Sequence, residues 1–227
     1  MASVVDICNI ALSHIGDVAQ VSSIAPPDGS AQAAYCATFY PLALSALLEM
    51  ANWGFATVRS TTAPVTNPST TWSFAYAYPA DLVNMIAVLP QCALDDYTAN
   101  FGERHHEWDA PAPDFANPAA NIYVPQRYEV EQDGEGNLII LTNTCGAVFR
   151  YTIQVYDPTR FSPLFTLTLS YLLASMLAGP IIKGEEGAQM SAAMMTKMEQ
   201  YKGRAAVSDA TQRHIVLEQR VPWMAGR

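Results

Sequence analysis

Glycine-rich phosphate loops are missing from this chain. Glycine occurs 12 times in 227 residues, and no GxxxxGK[ST], GxGxxG or GxSxG appears, which removes the usual nucleotide cradles and the hydrolase nucleophile elbow. Cysteine is scarce as well. Cys8, Cys36, Cys92 and Cys145 lie 28, 56 and 53 positions apart, so there is no CxxC and no zinc-ligand spacing. Such scattered thiols are expected to be small buried hydrophobes of a reducing compartment. The start of the chain has no basic segment followed by an apolar one, so no secretion signal is expected. Charge is thin, at 15% of residues against about 25% in an average domain. A chain with so few charges is expected to bury more surface than a free monomer does, and obligate assembly is one route to that. Basic residues are rarest in the first two thirds. Residues 1–158 hold 16 acids and 4 bases (Arg59, Arg104, Arg127, Arg150), a balance of −12, whereas residues 159–227 hold 5 acids and 8 bases, a balance of +3. That acidic bulk argues against a DNA-binding groove, which needs clustered Lys and Arg, and favours a wall that DNA slides past.

Helical signals occupy the two ends of the chain. Ser3 with Asp6 forms a capping-box variant, opening a helix with Val5, Cys8, Leu12 and Ile15 on one face and Gly16 at its close. After the loop "SIAPPDGS", Asp28 or Ser30 caps a longer helix expected to reach about Asn52. Pro41 bends it, Leu42, Leu44, Leu47 and Leu48 form its stripe, and Trp53-Gly54 closes it. Helix returns at Ser162-Pro163, is expected to break at Gly179-Pro180, and resumes from about Glu185 to Tyr201. Met190, Met194, Met198 and Tyr201 share one face of that last helix and read as bundle core. The uncharged run from Phe161 to Ile182 is long enough to span a bilayer, but its Ser, Thr, Gly and Pro content favours a buried helix.

Between these ends the texture is that of strands. Alternating or β-branched runs occur at 55–60, 72–78, 83–88, 127–132, 137–143 and 147–156, separated by turn formers. "RYEVEQ" and "NLIILTN" flank Asp133-Gly134-Glu135-Gly136 as a hairpin. The expected fold is therefore α+β: a helical bundle from 1–54 and 159–206, an inserted antiparallel β-domain over 55–158 with a surface insertion at 102–122, and an extended C-terminal arm over 207–227. Within the β-domain, Trp72, Phe74, Tyr76 and Tyr78 fall on every second position of "WSFAYAYPAD". In a strand that spacing lines four rings on one face, either as a stacking surface for a ligand or as a core wall. The core reading is preferred, with Trp53 as a further core residue.

Candidates for chemistry are few. "ERHHEWD" (103–109) is the one group of potential metal ligands, but His105 and His106 are adjacent and diverge on a helix or a strand alike. Asp95-Asp96 has no fixed geometry for acid/base work, and His14 reads as decoration of a polar helix face. No catalytic residue, cofactor or metal is expected.

The segments "ICNIALSHIGD" and "SIAPPDGSAQAAYCATFYPLALSALLEMANWGFA" resemble the opening of the tail tubular protein A family of short-tailed phages. Asn9, Leu12, Ile15 and Gly16 match its "N-x-x-L-x-x-I-G" helix, and Trp53 to Ala56 its "W-x-F" element. Trp72, Ala75, Tyr76, Tyr78, Pro79, Ala80 and Asp81 match "W-x-x-A-Y-x-Y-P-A-D". Gly136, Ile139, Ile140, Leu141, Thr142 and Asn143 match "G-x-x-I-L-T-N", and "Y-D-P-x-x-F-x-P-x-F" runs from Tyr156 to Phe165. The order of these elements covers nearly the whole chain, and the 102–122 insertion departs from the pattern. The resemblance implies a structural head-to-tail adaptor of the virion, made in the host cytoplasm. It implies a dodecameric ring beneath the portal protein that leads into the tail nozzle (tail tubular protein B), with DNA passing through the lumen without specific binding. Attachment of tail fibres is left open.

The C-terminal arm lacks a sustained hydrophobic period yet carries Trp223 and three arginines. Arg213, Arg220, Trp223 and Arg227 are the expected portal-docking residues, being types enriched at binding hot spots. Two other readings stand beside the adaptor: a β-module that binds glycans on its aromatic row, and a small membrane protein using 161–182.

Overall fold

A computed structural model describes residues 2–90 and 126–212. Helix makes up 47% and strand 20% of the structure, with four α-helices and two small antiparallel sheets, so the class is α+β. The chain divides into two compact units: Met1–Thr57 with Thr152–Arg213, and Val58–Tyr151.

The first unit is helical. α1 (Val4–His14) starts where expected: Ser3 Oγ accepts from the Asp6 amide at 3.1 Å while Asp6 accepts from the Ser3 amide at 2.8 Å. This reciprocal cap satisfies two of the donors that a helix start leaves open. Gly16 follows with φ of +80°, the left-handed turn that glycine takes without steric cost. Ser30 caps α2 (Ala31–Glu49), its Oγ accepting from the Ala33 amide at 3.1 Å. α2 stops at Glu49, short of Asn52, and keeps Pro41 inside it. Ala33, Cys36, Tyr40, Ala43, Leu44, Leu47 and Leu48 form its buried face. Leu42, placed in the stripe by sequence, is 58% exposed. It lies two residues past Tyr40 and is turned to roughly the opposite side of the helix.

α3 (Pro163–Ile182) packs against α1, α2 and α4 and is the centre of this unit. Its buried residues run almost continuously from Thr168 to Ser175 and on to Leu177 and Ala178, as befits a helix covered on most sides. α2 and α3 are both long and apolar enough to cross a membrane, with mean hydropathies of 1.2 and 1.7. The α3 stretch that raised this question is packed among the other three helices. The break expected at Gly179-Pro180 does not occur. Pro180 lies inside the last turn of α3, where one backbone bond is lost, and the Lys183 amide still reaches the Gly179 carbonyl at 3.0 Å. Lys183 (φ +62°) and Gly184 (φ +65°) make the turn instead.

α4 (Gly184–Ala210) comes close to α3 at Gly187, where an added Cβ would sit 3.0 Å from the Ala178 carbonyl oxygen. Met194, Met198 and Ala205 are buried, with Met190 and Tyr201 half-buried, so the methionine stripe is core. The helix expected to stop near Tyr201 continues to Ala210, which makes 207–210 part of α4 rather than of a free arm. The physical reason is a tie at its end. The Gly54 amide donates to the Asp209 carboxylate at 2.5 Å, holding the last turn against the 3-10 turn Gly54–Ala56.

The second unit holds the strands β1 (Thr57–Ser60), β2 (Phe74–Ala77), β3 (Leu82–Leu89), β4 (Tyr128–Gln132), β5 (Leu138–Thr142) and β6 (Val148–Ile153). One sheet has the order β1-β6-β3 and the other β2-β5-β4. In the second sheet Tyr76 lies opposite Ile140, which lies opposite Val130; Ala75, Leu141 and Glu129 form the next row. Side chains alternate, so Phe74, Tyr76, Ile140 and Val130 share one face and Ala75, Leu141 and Glu129 the other. Tyr76 is buried and meets Phe149 of β6 edge-on, centroids 5.3 Å apart.

Candidate functional site

The motif residues that carry the family resemblance converge on packing. Trp53 and Phe55 from the "W-x-F" element meet Phe161 and Phe165 from the "Y-D-P" element, more than a hundred residues later. Phe165 contacts Trp53 and Phe55 edge-on, both at 4.9 Å, and Phe161 at 4.8 Å. Trp53 is buried, as its core assignment requires, and its Nε1 donates to the Leu47 carbonyl at 2.8 Å. Arg160 Nη2 adds a 2.7 Å bond to the Phe55 carbonyl. Asp157 caps the turn before it, accepting from the Thr159 amide at 2.9 Å. Asn9 of the first motif both donates to the Val21 carbonyl (3.0 Å) and accepts from the Val21 amide (2.8 Å), pinning the loop after α1. Asn143 accepts from the Ser73 amide at 2.9 Å. These residue types are needed because each closes a backbone or core position.

The aromatic row does not hold together as one face. Trp72 precedes β2 and packs against Ala75, Ile139 and Leu141, and its Nε1 donates to Glu129 at 3.2 Å. That places it on the face opposite Tyr76. Strict alternation fails there because Ser73, bonded to Asn143, lies ahead of the regular ladder. Only Tyr76 of the four is buried; Trp72, Phe74 and Tyr78 are half-buried. The Tyr76 hydroxyl donates to the Thr144 carbonyl at 3.0 Å and accepts from the Ala147 amide at 3.4 Å. A continuous four-ring core wall is therefore corrected to one fully buried tyrosine with three partly covered neighbours split between faces.

His14 is not mere surface decoration. It stacks on Tyr171 with centroids 4.1 Å apart, and Tyr171 stacks on Tyr201 at 5.2 Å. Lys197 Nζ lies 5.8 Å from the Tyr171 centroid and Arg204 Cζ 5.5 Å from that of Tyr201. Ser170 Oγ gives its proton to the Leu167 carbonyl at 2.8 Å, so it accepts from His14 Nε2 at 3.1 Å and the neutral ring carries its proton there. Burial, and secondarily the Lys197 charge, hold the imidazolium pKa below the usual histidine value. No sequence signal marks this stack, because its members are far apart in the chain and each is ordinary alone.

Thiol chemistry is damped at Cys8. Cys8 and Cys36 are buried in the helical core, and the contact with Cys36 together with burial pushes the Cys8 thiol far above its ordinary range. A neutral buried thiol is a poor nucleophile. Cys145 departs from the expectation of burial and is exposed. Beside Cys8, burial raises the Tyr40 phenol to about 12. Among the described residues no three His, Cys, Asp or Glu side chains gather in a way that holds a metal. His105, His106, Asp95, Asp96, Cys92, the 102–122 insertion and the arm residues Arg213, Arg220, Trp223 and Arg227 lie outside the described residues.

No protein-family model matches the chain, and no curated protein matches it.

Proposed function

We propose that this chain is a structural head-to-tail adaptor of a short-tailed phage, a ring subunit between portal and tail nozzle that conducts DNA. The observation that carries the reading is the ordered set of motifs resembling tail tubular protein A. Its support from the structure is that those motifs meet as scaffold, with Trp53, Phe55, Phe161 and Phe165 as one cluster. A scaffold protein needs such joints and needs no turnover chemistry. The −12 balance of residues 1–158 suits a lumen that repels DNA and lets it slide. On this reading the arm beyond α4 docks on the portal through Arg213, Arg220, Trp223 and Arg227. The glycan-binding alternative loses force, since Trp72 and Tyr76 face opposite sides of their sheet.

The test is removal of residues 213–227, which leaves α4 and the Asp209 tie to Gly54 in place. The truncated chain is expected to melt within a few degrees of the full chain yet to fail to cosediment with portal-bearing, tailless heads. Normal cosedimentation of the truncated chain refutes the docking role of the arm, and absence of cosedimentation by the full chain refutes the adaptor reading itself.

A further inference from the structure

We infer that the Lys197–Tyr201–Arg204 flank of α4 receives the β4–β5 hairpin of a second copy of this chain. This inference rests on the ring reading and specifies the contact that builds the ring. Lys197, Tyr201 and Arg204 stand at i, i+4 and i+7, one side of a helix. Lys197 and Arg204 are exposed, and their charges are held over the rings of Tyr171 and Tyr201. Among the described residues neither forms an ion pair with a carboxylate, so two ordered cations remain available beside two aromatic rings.

The hairpin has the complementary character. Glu131 and Glu135 are exposed near its tip. The tip is rigid. Asp133 Oδ1 accepts from the Glu135 and Asn137 amides, both at 2.9 Å, its Oδ2 accepts from Asn137 Nδ2 at 3.1 Å, and Gly136 takes φ of +87°. A preorganised prong loses little conformational freedom on docking. β4 ends its sheet, but its glutamates discourage strand addition, leaving side-chain docking as the mode of contact. Acidic groups on one part of the chain therefore match cations held over aromatic rings on another. Because the two patches differ, the contact is heterologous and links subunits head to tail, as the proposed ring requires.

Sedimentation velocity on the full chain tests this with two charge-reversed variants: Lys197→Glu/Arg204→Glu, and Glu131→Lys/Glu135→Lys. The wild type is expected to self-associate, and each variant to associate about a hundredfold more weakly or worse, with unchanged circular dichroism. An equimolar mixture of the two variants restores opposite charges at every junction and is expected to regain the wild-type mass. Wild-type assembly by both variants places the ring contact elsewhere and overturns this inference while leaving the ring intact. Loss of assembly in both variants without rescue on mixing overturns it as well. A wild-type chain that remains monomeric at all concentrations, and docks on heads without neighbouring copies touching, overturns the ring reading and this contact together.

Discussion

The helical unit and the β unit are held together by different means. In the first, one continuous apolar core joins four helices, and the buried hydroxyls of α3 turn back onto their own helix: Thr168 to the Leu164 carbonyl at 2.7 Å, Ser170 to that of Leu167 at 2.8 Å and Ser175 to that of Leu172 at 2.7 Å. In the second, buried hydroxyls bridge segments distant in sequence: Tyr76 to Thr144 and Ala147, and Thr142 Oγ1 to the Arg127 carbonyl at 3.1 Å. Volume therefore carries the stability of the helical unit, while directional bonds between strands and their loops carry more of that of the β unit. The difference follows from shape. A helix satisfies its own backbone and needs only a covered stripe, whereas short strands leave loop amides and carbonyls that something must meet.

The largest expected effect is that of Trp53→Ala. It removes a ring that contacts Phe165 and Phe55 and leaves the Leu47 carbonyl without its donor, so urea unfolding should show a loss of about 3–5 kcal/mol. A loss below about 1 kcal/mol breaks the volume account. Next comes Tyr76→Phe, which keeps the ring against Phe149 but deletes both hydroxyl bonds; about 1–3 kcal/mol is expected from leaving buried groups unmet. If Tyr76→Phe is neutral while Tyr76→Leu is costly, packing rather than bonding governs the β unit too. Phe74→Ala is smaller, about 1–2 kcal/mol, because the ring is only half-buried and the penalty for a fully buried ring does not apply.

The smallest effect is a pH dependence. His14 has a folded pKa below its ordinary value of about 6.5. The unfolded chain therefore takes up the proton first, so the contribution is complete above that value and is lost as pH falls through the folded pKa. Tyr171 stacks on the ring and the Lys197 charge acts on it, and no carboxylate among the described residues forms an ion pair with it. Thermal melts from pH 8 to pH 5 should show the wild type losing more stability than His14→Gln; parallel curves exclude this role.

Legibility in the sequence divides along the same line as the two cores. Ser3, Ser30 and Ser162 announced their helices because a cap is a local event, and the six strand runs lie close to where alternation placed them. The misreadings have nonlocal causes. α4 runs on because Asp209 finds Gly54, α3 survives Pro180 because the proline falls in its last turn, and Trp72 leaves its row because Asn143 holds Ser73 outside the ladder. For the candidate site the aromatic motifs were visible, but the stack of His14, Tyr171 and Tyr201 was not, since it exists only once α1, α3 and α4 are packed.

The adaptor reading is tested most directly by negative-stain imaging of the purified chain mixed with isolated portal rings. The account predicts a second ring, built of this chain alone and seated coaxially on one face of the portal with an open lumen. Bare portals beside a monomeric chain that binds immobilised glycans would contradict it.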